Sequence, residues 1–244
     1  MCGFCDGGKL SRRQLCLGVL AAPLIMGPVH KDGLVEPVLR LQPQSGPRRV
    51  AVTLDACPGH FDPRIATLLV ERQIPASIFI TAVWMRMNPE GLAFFLKYPD
   101  VFTLENHGAR HLPPVLGTQR IYGLEVAGSW PAIQAEIEGG AEAVYKVTGR
   151  RPAWYRGAAG LYTPSVVPRI AAAGVRVAGY SLNSDAGASF PAALVAARIK
   201  AARDGDVIEG HINQPKRASG AGIAAGLAAL QEAGVQFARL DEAA

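Results

Sequence analysis

The chain has little with which to staple itself, span a membrane or bind by charge. Cysteine is scarce, and three of the four residues, Cys2, Cys5 and Cys16, fall near the N-terminus. Beyond them only Cys57 remains, which excludes a disulfide within the rest of the chain. The apolar run from Leu15 to Met26 is shorter than the ~20 residues that a helix needs to cross a bilayer, so no stable membrane span is expected in the mature form. Charged residues make up 18% of the chain and the formal net charge is +5, of which Lys9, Arg12 and Arg13 against Asp6 contribute +2 near the N-terminus. No Lys/Arg run interleaved with aromatics occurs, so a nucleic-acid partner is not expected. Histidine is also rare, with five in the chain.

What is present suffices for one sizeable domain: 244 residues, 49% of them apolar. Ser11-Arg12-Arg13-Gln14-Leu15 ahead of the short apolar run resembles a twin-arginine signal, so residues 1–28 are read as an export signal or N-terminal anchor and the protein as periplasmic or secreted. Residues 29–48 are read as a linker or N-terminal extension, and 49–244 as a single domain. Cys2-x-x-Cys5 has no surrounding fold to make it a metal or redox site.

From Val50 onward, strand-like and helix-like segments alternate about seven times. Strands are expected at Val50–Leu54, Ser77–Thr81, Val101–Glu105, Ala153–Arg156, Val175–Leu182, Asp206–His211 and Val235–Leu240. Helices are expected at Pro63–Gln73 (capped by Asp62), Pro89–Lys97 (capped by Asn88), Pro131–Val147, Ser165–Ala173, Ala192–Arg203 and Ala221–Ala233. Such alternation means parallel strands with crossover helices, in a barrel or a doubly wound sheet. The longest connection, Leu112 to Ser129, is rich in Gly and Pro, as lids and substrate loops often are.

Polar residues cluster where these strands end: Asp55, His107 with His111 four residues on, Arg156, Asn183 with Asp185, and His211. In parallel barrels the strands' C-terminal ends carry the active site, so five strands would deliver ionisable side chains to one rim. Two imidazoles and an anionic ligand make a catalytic zinc-type site, with a nearby carboxylate as base and an imidazole across the site as acid. Asp55 suits the base and His211 the acid. Arg156 would hold Asp55 ionised, and Asp185 or Asn183 would orient His211.

These residues, in this order, resemble the polysaccharide deacetylase family, the NodB-homology carbohydrate esterases, over roughly Arg49 to Leu240. Thr53-Leu54-Asp55-Ala56-Cys57-Pro58 looks like the family's Thr-Phe-Asp-Asp-Gly-Pro motif, whose first Asp is the catalytic base. Asn106-His107-Gly108-Ala109-Arg110-His111 is similar to its metal-binding histidine pair, and Tyr155-Arg156-Gly157-Ala158-Ala159-Gly160 to its Arg-x-Pro-x-Gly segment. Val207-Ile208-Glu209-Gly210-His211 ends where the Leu-x-His motif ends. The resemblance implies an α/β fold, a distorted (β/α)7 barrel, and a divalent metal, zinc before others. The activity it implies is removal of N- or O-acetyl groups from an acetylated glycan.

Three departures stand out. The second Asp of the first motif, a metal ligand, is Ala56; the Arg motif lacks its proline; and the Asp-Trp segment is represented only by Asn183-Ser184-Asp185-Ala186. Three completions of the metal are then open: Asp55 moving onto it, Cys57 as a thiolate, or water alone beside His107 and His111. In the last two Asp55 stays the base. A metal-poor hydrolase of a small non-sugar amide, or an inactive glycan-binding domain, are the rival readings. His60 is expected on a loop surface, and Ser219-Gly220-Ala221-Gly222 as a tight helix start rather than a phosphate loop. Trp84, Tyr122, Trp130, Trp154 and Tyr162 lie near loops as candidates for stacking on sugars, with core packing the default for at least half.

Overall fold

The computed structural model describes residues 27–30 and 32–243. The expected export segment, with Cys2, Cys5, Cys16 and the Arg12–Arg13 pair, therefore lies outside the described residues apart from its last two positions. Among the described residues no helix is long and apolar enough to cross a membrane.

Strand β1 (Arg49–Ala56) is central, flanked by β2 (Ala76–Ile80), then β3 (Phe102–Asn106), β6 (Trp154–Tyr155) and β7 (Arg176–Val177) on one side. On the other side lie β9 (Val207–His211) and β8 (Leu182–Asn183). Every pairing along this path is parallel, and β10 (Gln236–Ala238) pairs with the start of β1. The path ends at β7 and β8 without joining them, so the expected distorted barrel is a curled parallel sheet open along one side. The expected strand Val175–Leu182 is accordingly two short strands. Residues 178–181 cross from one edge of the sheet to the other: the Ala178 amide bonds to Tyr155 on β6, and the Ser181 amide to Val207 on β9.

Period-2 alternation sorts the strand residues. Val50, Val52, Leu54, Ile78, Ile80, Leu104 and Ile208 face the helices and form the main core. Their alternates Ala51, Phe79 and Val207 pack inside the curl with Trp154 and Ala178. Helices α1 (Pro63–Glu71), α3 (Pro89–Lys97), α4 (Trp130–Thr148), α5 (Val166–Ala172), α6 (Ala192–Lys200) and α7 (Ser219–Glu232) fall where the sequence predicts helix. Helix α2 (Ala82–Met87), capped by Thr81, was not expected; six residues are too few to show a helical period.

Other expectations need correction. Asn88 precedes α3 but makes no side-chain cap there; its amide instead donates to Gly59 O and Trp84 O, and its oxygen accepts from Phe61 N. It thereby ties down the loop after β1. In the stretch read as a linker or N-terminal extension, Leu34, Val35 and Leu41 are buried, and Val35 bridges to Tyr162. Gly179 approaches the Pro37 carbonyl so closely that any Cβ would collide with it. The long connection carries a hairpin, β4 (Arg120–Ile121) and β5 (Leu124–Glu125), absent from the expected elements. Its two-residue turn has positive φ at both Tyr122 (49°) and Gly123 (82°), as a type I′ hairpin requires.

Candidate functional site

At the C-terminal ends of the strands the inward positions turn from apolar to ionisable. Register sets Thr53 of β1 opposite Glu209 of β9, and Asp55 opposite His211. The result is a cleft of about 480 Å³ whose lining includes Glu36, Asp55, Cys57, His111, Tyr180, Glu209 and His211.

Arg156 lies in the floor, 1% exposed. Its Nη1 donates to Asp55 Oδ1 (2.8 Å), its Nη2 to Thr53 Oγ1 (2.9 Å) and Gly179 O (3.1 Å), and its plane lies over the Phe79 ring. Burial alone would raise the Asp55 carboxyl, but the Arg156 guanidinium, helped by His107 and His211, holds it below the ordinary carboxylate value.

His107 Nδ1 donates to the Arg156 carbonyl (2.8 Å), which turns Nε2 toward the cleft. That Nε2 lies 3.3 Å from Cys57 Sγ and 3.7 Å from Asp55 Oδ2. Burial works against its charge, yet these two anions raise the imidazole to about 9. Cys57 responds in kind: burial opposes ionisation, but His111 and then His107 bring the thiol well below its ordinary value. His111 Nε2 is buried without a hydrogen-bond partner. The ligating atoms of Cys57, His107 and His111 all lie within 4.8 Å of one another. Two imidazole nitrogens and a thiolate, one nitrogen an orphan, form a donor set suited to zinc. Of the three completions left open, the one gathered around the histidine pair is Cys57; Asp55 is bound instead to Arg156. Ala56 points into the main core.

The loop carrying His111 is held from α4. Glu136, 1% exposed, accepts from the Arg110 amide (2.6 Å) and the Leu112 amide (3.1 Å), either side of His111 with its left-handed φ of 71°. Gly108 (φ 90°) packs on the same carboxylate, where a Cβ would come within 2.7 Å of Oε1. Glu136→Leu should therefore destabilise the fold by about 1–3 kcal/mol through the two stranded amides, read as a lower urea midpoint at unchanged slope.

Across the cleft, His211 Nδ1 donates to Asp185 Oδ1 (2.9 Å) and lies 3.2 Å from Glu209 Oε1, while its amide bonds to Asp185 Oδ2 (2.9 Å). Burial is outweighed by Glu209 and Asp185, and the imidazole is raised well above its ordinary value. Asn183 takes no part in holding His211; its side chain accepts from the Ala186 amide and shapes the turn.

Several residues of the site escape sequence reasoning. Glu209 is buried, and burial raises its carboxyl to about 8 despite His211. Its signal was present: it shares a strand face with His211 two residues on. Glu36, whose Oε1 accepts from the Tyr180 hydroxyl, comes from the segment expected as a linker and has no such signal. Among the aromatics singled out, Trp84, Trp154 and Tyr162 are core residues and Trp130 packs on Arg169. Only Tyr122, 80% exposed at the hairpin tip, lines the cleft.

The sequence pattern of the polysaccharide deacetylases matches residues 42–178. No curated protein matches the chain. Among solved structures, the peptidoglycan deacetylase PdaC from Bacillus subtilis is 19% identical, with a TM-score of 0.66 over 82% of this chain and 91% of its own. PdaA from the same species, a family 4 carbohydrate esterase, gives 17%, 0.64, 84% and 83%. A CE4 family pseudoenzyme from Bacillus anthracis gives 16% and 0.64 over 82% of this chain and 66% of its own. A mutant of that pseudoenzyme has restored activity. At these identities the likeness is one of fold.

Proposed function

The chain belongs to the polysaccharide deacetylase family, and from that membership we propose that it is a metal-assisted hydrolase removing acetyl groups from an N- or O-acetylated glycan; the Arg12–Arg13 pair ahead of a short apolar run supports its export to the periplasm or beyond. The observation that carries the reading is the meeting of Cys57, His107 and His111 beside an ionised Asp55 and a protonated His211. Cys57, His107 and His111 would hold the divalent ion, zinc by the donor set. When bound, the ion polarises the acyl carbonyl and acidifies water. Asp55 takes the proton from the attacking water, held ionised for that task by Arg156. His211 gives its proton to the departing amine or alkoxide, oriented by Asp185. The base starts deprotonated and the acid protonated, the states hydrolysis needs. Tyr122 at the rim supplies a face for a sugar ring.

Acetate release from acetylated chito-oligosaccharides and peptidoglycan fragments, with and without added zinc, tests this reading. Zinc-stimulated release that is lost in His107→Ala supports it. No release under either condition overturns it and leaves a glycan-binding domain. One contact favours a second reading. Cys57 Sγ at 3.3 Å from His107 Nε2 is also a thiol–imidazole pair fit for metal-free amide hydrolysis. Activity that survives chelation but not thiol alkylation would select it.

A further inference from the structure

Glu209 helps keep His211 charged but has no contact with substrate in the chemistry outlined above, and it stands in the floor of the cleft. It is 2% exposed, its Oε1 faces His211 Nδ1 at 3.2 Å, and its Oε2 is buried with no hydrogen-bond partner. Its carboxylate lies with those of Asp55 and His211's imidazole within a 4.8 Å cluster, so it adjoins the reacting groups. A buried carboxyl oxygen without a partner costs about 1–3 kcal/mol, and a site that keeps one favours a ligand able to satisfy it. In the hydrolase reading the acyl carbon lies between Asp55 and His211, so the acyl group is the part of the substrate nearest Glu209, which is grouped with both.

We propose that Glu209 is a specificity-determining residue that selects an acyl group bearing a hydroxyl, hydroxyacetyl before plain acetyl. This rests on the hydrolase reading given above. A hydroxyl fits better than an ammonium because a neutral donor costs less to desolvate, and Arg156 and the charged His211 already neutralise the carboxylates around it. A methyl group would leave Oε2 unsatisfied and add its own contact to a polar wall. The reaction keeps its balance: water adds oxygen to the acyl carbon, the carbon–nitrogen bond breaks, the amine leaves protonated, and the released acid is hydroxyacetate.

The test compares N-acetyl and N-hydroxyacetyl chito-oligosaccharides of equal length, with acid release followed by chromatography. Wild type should favour the hydroxyacetyl substrate by at least about tenfold in kcat/KM. Glu209→Leu should reverse the order in favour of acetyl, and Glu209→Gln, which keeps shape and hydrogen bonding, should retain the wild-type order if the leucine variant fails to fold. The ratio is the readout, since loss of packing on His211 would slow both substrates alike. Equal rates, an acetyl preference in wild type, or a ratio unchanged by Glu209→Leu overturns the proposal. If neither substrate releases acid, the hydrolase reading fails by itself. Calorimetric titration with hydroxyacetate and acetate then decides this proposal: tighter hydroxyacetate binding that Glu209→Leu abolishes supports it, and equal binding overturns it.

Discussion

Cys57→Ala should bind zinc at least about a hundredfold more weakly than wild type and release no acetate, while keeping its fold. Thiolate sulfur is a strong zinc ligand, and the remaining pair of imidazoles would be left to hold the ion without an anion of its own. The residue is only half-buried, at the strand end where the chain turns into a loop, so removing one sulfur leaves little cavity. Dialysis against a competing chelator followed by mass spectrometry of bound metal measures the affinity, and circular dichroism the fold. The companion variant Asp55→Asn should keep the metal and lose turnover. The reverse pattern, with metal lost in Asp55→Asn and retained in Cys57→Ala, would make Asp55 the ligand.

Arg156→Met should destabilise the protein by about 3–5 kcal/mol. The substitution removes four hydrogen bonds, to Asp55, Thr53, Gly179 and the longer one to Ala178 (3.4 Å), and leaves the buried Asp55 carboxylate only the imidazoles of His107 and His211 as counter-charges. Asp55 then loses the largest of the charges that hold its carboxyl down, so the loss should grow as pH rises from 4 to 8 and shrink toward acid pH, which urea denaturation across that range would show. Arg156→Met with Asp55→Leu should recover much of the loss, because no unpaired charge remains. An unchanged penalty in the double variant would mean that packing against Phe79, rather than charge, holds the site. Arg156→Lys should rescue poorly, since a point charge cannot reach Asp55, Thr53 and the crossing segment together.

The sequence made the strand–helix alternation legible because parallel strands buried on both faces read as dense apolar runs, such as Val50 to Leu54. It also exposed Asp55, His107, His111, Arg156, Asp185 and His211, since each stands at a strand end or just beyond one. What it hid depends on distance in space. Glu136 lies in the middle of an amphipathic helix, and only the fold reveals that it faces the loop around His111. Glu36 reaches the cleft because its neighbour Pro37 packs on the crossing segment at Gly179 and Tyr180. The break at residues 178–181 was unreadable because an apolar stretch does not say that its two halves serve different neighbours. The open side lies between those two halves: β7 and β8 sit at opposite edges of the sheet.

The guanidinium inside the curl has a consequence for how the chain finds its pairing. Thr53 and Asp55 of β1, the carbonyls of Ala178 and Gly179, and Arg156 itself come from three separate stretches of chain. A one-residue slip of β1 would turn Thr53 and Asp55 toward the helices and leave an unmatched cation in the interior. Arg156 thus acts as an alignment pin: only one setting of the strands lets all its partners meet, and every other setting bears the cost of an orphaned charge.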